Sequence, residues 1–539
     1  MKKFLLFVLT VLTLSAAAAQ DWPAVNHDNV MSRNSPQTAI GKSNVNQLQV
    51  KWVLNTGYPV ENSPLIVGDK AFAQNNAMQV IAMDLKTGMN LWKFDPNVTV
   101  AGSIPRATNA HGMIYENGIV YADTGPNATV VALNASDGSK IWESEPLLTE
   151  LEIQSGSYRI QSPVMIWRDS VIVGNSLGDS PPFGFPARGF LAALDKKDGK
   201  QLWRTFTAVG AWVEGNNTTM NGGATPWTGG AIDNETGIIY VPCGNAAPDF
   251  SAQTRPSPNL YAFHVIAVNL TDGKILWYTP FIADGGIMLK PLNLTVPDTH
   301  DWDPDFGANI VTVNINGTMQ KVVIGHDKHG DVMAMNASTG KPIWWNALGV
   351  MYRGWAQPAQ NGSGVVWPGT QNGIESFSAV DANNVYLAVA NTGVIYYINP
   401  DRTAPAFDAM PNGIGNGSVA ALDLKTGKIK WETKTDFPTW CSPIVTNGLV
   451  FSGHVTATGK PYEHNEFAAA TNAPLISSGI IMALDKDTGK ELWEFNVGAP
   501  IGIGGPSIGN GYLLVPTGSP AEIASNQGGY IIAFGLPGK

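Results

Sequence analysis

The chain has 539 residues, 44% of them hydrophobic and only 14% charged, with a net charge of −10 and an isoelectric point near 5.3. No run of Lys and Arg occurs, which excludes nucleic acid as a partner, because phosphate neutralisation needs clustered cations. Fifty-eight glycines and 36 prolines favour strands and turns over long helices.

In chain order, Met1-Lys2-Lys3 is a short basic region, Phe4 to Ser15 is apolar, and Ala17-Ala18-Ala19 precedes Gln20. This pattern predicts a signal peptide over residues 1–19 and a single domain over 20–539. No second long apolar run follows, so the mature chain is expected to have no integral membrane segment and to be secreted or periplasmic. A dozen Asn-x-Ser/Thr sequons, Asn97, Asn127 and Asn269 among them, mark exposed loops that glycosylation would reach in an exported glycoprotein. Cys243 and Cys441 are the only cysteines, so at most one disulfide is possible, and without Cys-x-x-Cys-His no c-type haem is covalently held.

A repeat then takes over. Ile81-Ala82-Met83-Asp84 runs through Thr87-Gly88 to Trp92, and Val131-Ala132-Leu133-Asn134 through Asp137-Gly138 to Trp142. Five more copies end at Trp203, Trp277, Trp344, Trp431 and Trp493. A degenerate copy, Leu48 to Trp52, keeps the strand and the Trp without the turn. Each copy reads as a β-hairpin in which Asp or Asn opens the turn and Gly takes a positive φ. Other short strands, such as Leu65-Ile66-Val67, lie between copies. Four strands per copy and eight copies predict an all-β fold, an eight-bladed β-propeller of four-stranded antiparallel blades. The closing blade is expected to combine Tyr530 to Phe534 with the Val50 segment. Successive tryptophans lie 40 to 87 residues apart, so insertions fall mainly in the middle and late blades.

One stretch stands out from the repeats. His300-Asp301-Trp302-Asp303-Pro304-Asp305-Phe306-Gly307 carries three carboxylates at alternate positions. It imitates the start of an EF-hand loop but fails as one, with Gly at the seventh position and Thr312 at the twelfth. Read alone, it is a solvated acidic turn.

The Ala-x-Asp-x-x-Thr-Gly-Lys-x-x-Trp repeat resembles the tryptophan-docking motif of the pyrroloquinoline quinone (PQQ) dehydrogenases, over nearly the whole mature chain. Further segments resemble the quinoprotein alcohol dehydrogenases in the same order along the chain. The resemblance implies that Glu61 contacts the quinone, that Thr225-Pro226-Trp227 forms the floor under it, and that Asn245 gives an amide oxygen to a metal. Lys328, in Gly325-His326-Asp327-Lys328-His329-Gly330, matches the cation at the reactive carbonyl. Pro438-Thr439-Trp440 matches a Trp on the cofactor's rim, and Asn372 a quinone-contacting Asn. His111 stands where that family has Arg, and no vicinal cysteine pair occurs near Pro105. Asp179 replaces the metal-binding Glu, and Arg159 and Gln161 on the preceding strand would face the quinone.

The acidic stretch matches the catalytic segment in two registers. One makes Asp305 the base; the other makes Asp303 the base and Asp305 an extra ligand, the pattern of lanthanide-dependent relatives. The implied cofactors are PQQ with Ca²⁺ or a lanthanide ion bound by Asp179, Asn245, Asp303 and Asp305. The implied substrate is a small-molecule or polymeric alcohol (or hydrated aldehyde), with electrons leaving to an external acceptor, a cytochrome or a quinone. The alternative is a quinone-free propeller used as a scaffold or assembly protein.

Overall fold

A computed structural model describes residues 20–97, 112–149, 159–160, 162–176, 188–208, 222–247, 260–281, 303–304, 306–349, 363–366, 372–392, 394–398, 405–409, 415–457, 476–518 and 529–538. Residues 1–19, the expected signal peptide, lie outside them. Eight four-stranded antiparallel blades follow one another, as the repeat predicts. Blade 1 comprises Leu65–Val67, Lys70–Gln74, Val80–Asp84 and Asn90–Phe94. Blade 4 comprises Ala231–Asp233, Ile238–Cys243, His264–Asn269 and Ile275–Pro280. Blade 5 comprises Asn309–Ile315, Thr318–His326, Asp331–Asn336 and Pro342–Ala347. Blades 2, 3, 6 and 7 begin at Ile114, Met165, Ala379 and Cys441. The one helical turn among the described residues is Val45–Gln47.

Neighbouring blades cover both faces of each sheet, so the inner three strands read as continuous apolar runs rather than alternating ones. The fourth strand, as in Asn90–Phe94, is the more exposed one because it meets solvent; blade 5 departs from this, its first strand Asn309–Ile315 alternating. The repeat Ala pairs with the repeat Trp across each hairpin, Ala82 with Trp92 and Ala334 with Trp344, and a bulge follows the Ala. The bulge aims the indole at the next blade. There Trp52 Nε1 donates to Leu85 O (2.9 Å), Trp277 Nε1 to Ala337 O (2.9 Å) and Trp344 Nε1 to Leu424 O (2.8 Å). Each ring lies on the turn glycine of that blade. A Cβ on Gly340, φ 70°, would stand 2.6 Å from Trp277, so Gly is required both for conformation and for contact.

Closure uses both halves of the chain. Gln49–Asn55 is the outer strand of blade 8, paired with Tyr530–Gly535, beyond which lie Tyr512–Pro516 and Ser507–Gly509. Blade 8 therefore has no docking hairpin, and Trp493 packs instead beside Phe495 and Phe534. A second, inner closure was not foreseen. The segment from Gln20 to Ser35 forms a strap touching the first strand, or its immediate flank, in every blade. Trp22 bridges Ile66, Ala24 bridges Ile114, and Asn29 Nδ2 donates to Ile166 O. The carbonyls of Asn29, Val30, Ser32 and Arg33 accept from the N–H groups of Ile232, Ile310, Val380 and Val445, and Gln20 accepts from Asn510.

Cys243 and Cys441 are both buried free thiols, so neither forms the disulfide that two cysteines allowed. No helix among the described residues is long and apolar enough to cross a membrane.

Candidate active site

An antiparallel blade has two ends, and their connections differ. At one end are tight turns such as Gly68-Asp69, Asn316-Gly317 and Asn447-Gly448, together with the docking hairpins. At the other lie the approach to each first strand and the link from second to third strand. Glu61, Thr225, Trp227, Asp303, Asn372 and Trp440 all precede first strands, while Asn245 and Lys328 follow second strands. The ring thus brings residues far apart in sequence to one mouth.

Blades 4 and 5 hold the centre of the site. Lys328 Nζ lies 3.1 Å from Asp303 Oδ1, with 8% and 2% of their side chains exposed. The backbone fixes the pair as well: Lys328 N–H donates to Asp303 O, and Pro304 bridges Asp327. Removing either charge from water alone costs several kcal/mol, so each stabilises the other in place. The ammonium also stands 5.6 Å from the centroid of the Trp227 ring. Trp227 is half-exposed between the buried residues Pro226 and Thr228. Its ring is supported edge-on by Phe306 at 5.2 Å, and Phe306 by Phe377 at 5.1 Å.

Gly244, the residue before Asn245, brings the backbone against Asp303 and Trp227. Its N–H donates to Thr225 O, and Ala224 N–H donates to Asn245 O. A Cβ at Gly244 would come to 3.0 Å from Asp303 Oδ2 and 3.3 Å from Trp227 Nε1. Glycine leaves that space open between backbone, carboxylate and indole.

The other expected residues are more dispersed in role. Glu61 is buried and accepts from Asn76 Nδ2 at 2.9 Å. Asn372 is buried with its Oδ1 accepting from the N–H and hydroxyl of Thr392. Trp440 is buried in the cluster that contains Phe306 and Phe377. Arg159 is half-buried on a two-residue strand paired with Ser176 and Asn175. His111, Gln161, Asp179 and Asp305 lie outside the described residues. Asn76 was missed by sequence reasoning, yet a signal existed. Asn76, Asn245 and Lys328 each stand two residues beyond the end of their blade's second strand.

The Lys328 loop carries further buried charge. Asp327 Oδ1 accepts from the N–H groups of His329, Gly330 and Asp331 at 2.8 to 3.0 Å, which folds the loop tightly beneath Lys328. Burial and the neighbouring Asp331 push the Asp327 carboxyl well above the usual range. His326 is held neutral, its pKa lowered by burial to about 4.

Among the described residues no three His, Cys, Asp or Glu side chains gather as a metal cluster. The Asp303 carboxylate, against the backbone of Gly244 just before Asn245, and the amide of Asn245 both offer oxygen, which suits a hard cation such as Ca²⁺ rather than zinc. The half-exposed indole with an ammonium at its side suits a flat, electron-poor ring. Both implied groups therefore fit the residues present.

The family model described as glucose/ethanol/alcohol dehydrogenase, β-propeller domain, matches residues 22–346, and that of the outer membrane protein assembly factor BamB matches residues 262–473. The dehydrogenase subunit of the quinone alcohol dehydrogenase of Komagataeibacter europaeus is 25% identical over 96% of this chain and 76% of its own length. That of Gluconobacter oxydans is 27% identical over 62% of this chain, a stretch spanning only 45% of the relative. A europium-containing methanol dehydrogenase superposes with a TM-score of 0.74 at 20% identity, covering 96% of this chain and 98% of the other.

Proposed function

The chain belongs to the glucose/ethanol/alcohol dehydrogenase β-propeller family, and from that premise we propose that it is an exported, PQQ- and metal-dependent dehydrogenase oxidising an alcohol or hydrated aldehyde. The observation that carries this reading is the buried Lys328–Asp303 pair, 3.1 Å apart, beside the half-exposed Trp227. When bound, PQQ supplies the o-quinone that takes up a hydride or its equivalent, and a hard cation polarises its carbonyl.

This chain's own residues supply the rest. Trp227 is the floor on which a planar ring lies, kept edge-on by Phe306. Asn245 and Asp303, with Asp179 and Asp305, are the metal ligands, and Glu61, Asn372, Trp440, Arg159, Gln161 and His111 line the cofactor. Asp303 takes the substrate hydroxyl proton, a role worth roughly 10²–10⁴ in rate; Asp305 is the competing candidate. Lys328, its ammonium 3.1 Å from Asp303 Oδ1, orients that carboxylate and stabilises negative charge that develops nearby. Ca²⁺ and a lanthanide are both compatible with these donors. The electrons leave to a separate acceptor, a cytochrome or a quinone.

The test is reconstitution. Purified protein incubated with PQQ and Ca²⁺, or with PQQ and La³⁺, should show quinone absorbance and reduce a dye when given primary, secondary or polymeric alcohols. Asp303→Asn should bind the quinone and lose turnover; full activity in that variant passes the base role to Asp305. The match of residues 262–473 to an assembly factor favours a second reading, a quinone-free scaffold, which absence of any quinone uptake would establish in its place.

A further inference from the structure

The strap carries a charge that the proposed chemistry has not yet used. Arg33 has no exposed surface and a φ of 48°. Its guanidinium donates to Gly504 O (2.7 Å), Pro443 O (2.8 Å), Asn26 Oδ1 (3.0 Å), Val25 O (3.1 Å) and Ser63 Oγ (3.2 Å), all neutral acceptors. Among the described residues no carboxylate pairs with it. Burial lowers its pKa to about 9, which leaves it a full cation at neutral pH.

Its position is the informative part. Arg33 Cζ lies 6.0 Å from the Phe377 ring centroid, Phe377 5.1 Å from Phe306, and Phe306 5.2 Å from Trp227. An apolar column of buried rings thus leads from the floor of the site to the guanidinium. On the other side, Ser63 stands two residues after Glu61, and Gly504, which accepts from Arg33, donates its N–H to Glu61 O. A protein that required only packing here would gain by a neutral side chain, since an unpaired buried cation is costly.

We propose that Arg33 is a positioning residue acting through its field: a fixed positive charge beneath the site that favours the electron-rich, reduced form of the bound quinone. The inference rests on the quinone reading above. A unit charge about 10–15 Å away at an effective dielectric near 20 changes a balance between states differing by one charge about tenfold.

Asn26 offers a test that leaves Arg33 in place. Its Oδ1 already accepts from Arg33, and its Nδ2 has no hydrogen-bond partner. Asn26→Asp therefore sets a counter-charge against the guanidinium without changing shape. The readout is the midpoint potential of the quinone in the loaded protein, measured by spectroelectrochemical titration. The expected result is an about tenfold weaker preference for the reduced quinone in N26D, a fall of about 30 mV for a two-electron couple, with Asn26→Ala, which adds no charge, close to the unaltered protein. A folded, quinone-loaded N26D whose potential does not move overturns the proposal. Should N26D fail to fold, Arg33→Gln against the unaltered protein makes the same comparison, and equal potentials overturn it. Unaltered protein that takes up no quinone overturns the underlying reading and this one together, and is recognised by the absence of any absorbance to titrate.

Discussion

Asp123 ends the second strand of blade 2 with 1% of its surface exposed, and burial pushes its carboxyl up to about 7. Between pH 4 and 7 the unfolded chain has already released this proton while the folded chain retains it. Asp123 alone therefore costs no stability below about pH 4 and costs progressively more as pH rises to about 7, by at most about 4 kcal/mol. Asp123→Asn should raise the melting temperature at pH 8 and leave it unchanged at pH 4, as thermal melts at the two pH values would record. The Lys328–Asp303 pair makes the opposite kind of prediction. Lys328→Met strands a buried carboxylate and should cost about 3–5 kcal/mol, whereas Lys328→Met with Asp303→Asn should recover much of that loss in urea unfolding. At this scale the sequence was only partly legible. Asp303, Asn245 and Lys328 emerged from their order along the chain, because no local pattern sets a lone Gly-Asn or Asp-Lys apart from an ordinary turn. Asp303 and Asp305 were inseparable, since alternate positions on one stretch fit either register. Arg33 was invisible because the strap follows the ring rather than the repeat, so no periodicity announces it.

The docking hairpin shows why the blades were so much easier to read. Its Ala, Gly and Trp answer to three separate constraints: close sheets, a positive φ, and an indole that must reach a carbonyl on the next blade. Each excludes nearly every other residue, so the pattern survives in seven copies. Gly340→Ala, with its Cβ 2.6 Å from Trp277 and φ at 70°, should destabilise by about 1–3 kcal/mol. Trp277→Phe forfeits the bond to Ala337 O, about 1 kcal/mol, together with some packing. Trp493→Phe should cost less, because blade 8 offers its indole no docking turn. A denaturation series comparing the two substitutions would separate docking from simple burial. The insertions were legible as insertions and no further: their spacing placed them in the middle and late blades, while their composition carries no period from which to build.

Over the whole molecule, stability depends on two closures of unlike kind, an outer strand pairing and an inner strap. The strap satisfies backbone N–H groups of Ile232, Ile310, Val380 and Val445. A chain lacking residues 20–35 would leave these buried donors open at about 1–3 kcal/mol each, and should give a protease-sensitive product with a broad unfolding transition in place of a single cooperative one. The outer closure has a consequence in time. Gln49–Asn55 leaves the ribosome early, yet its partner is Tyr530–Gly535. At about 5–20 residues per second the strand waits roughly half a minute to a minute and a half for the segment it must join. Through that interval the nascent chain holds an open edge and an unclosed ring, a natural period for chaperones to hold it and a built-in delay before any cofactor site exists to be filled.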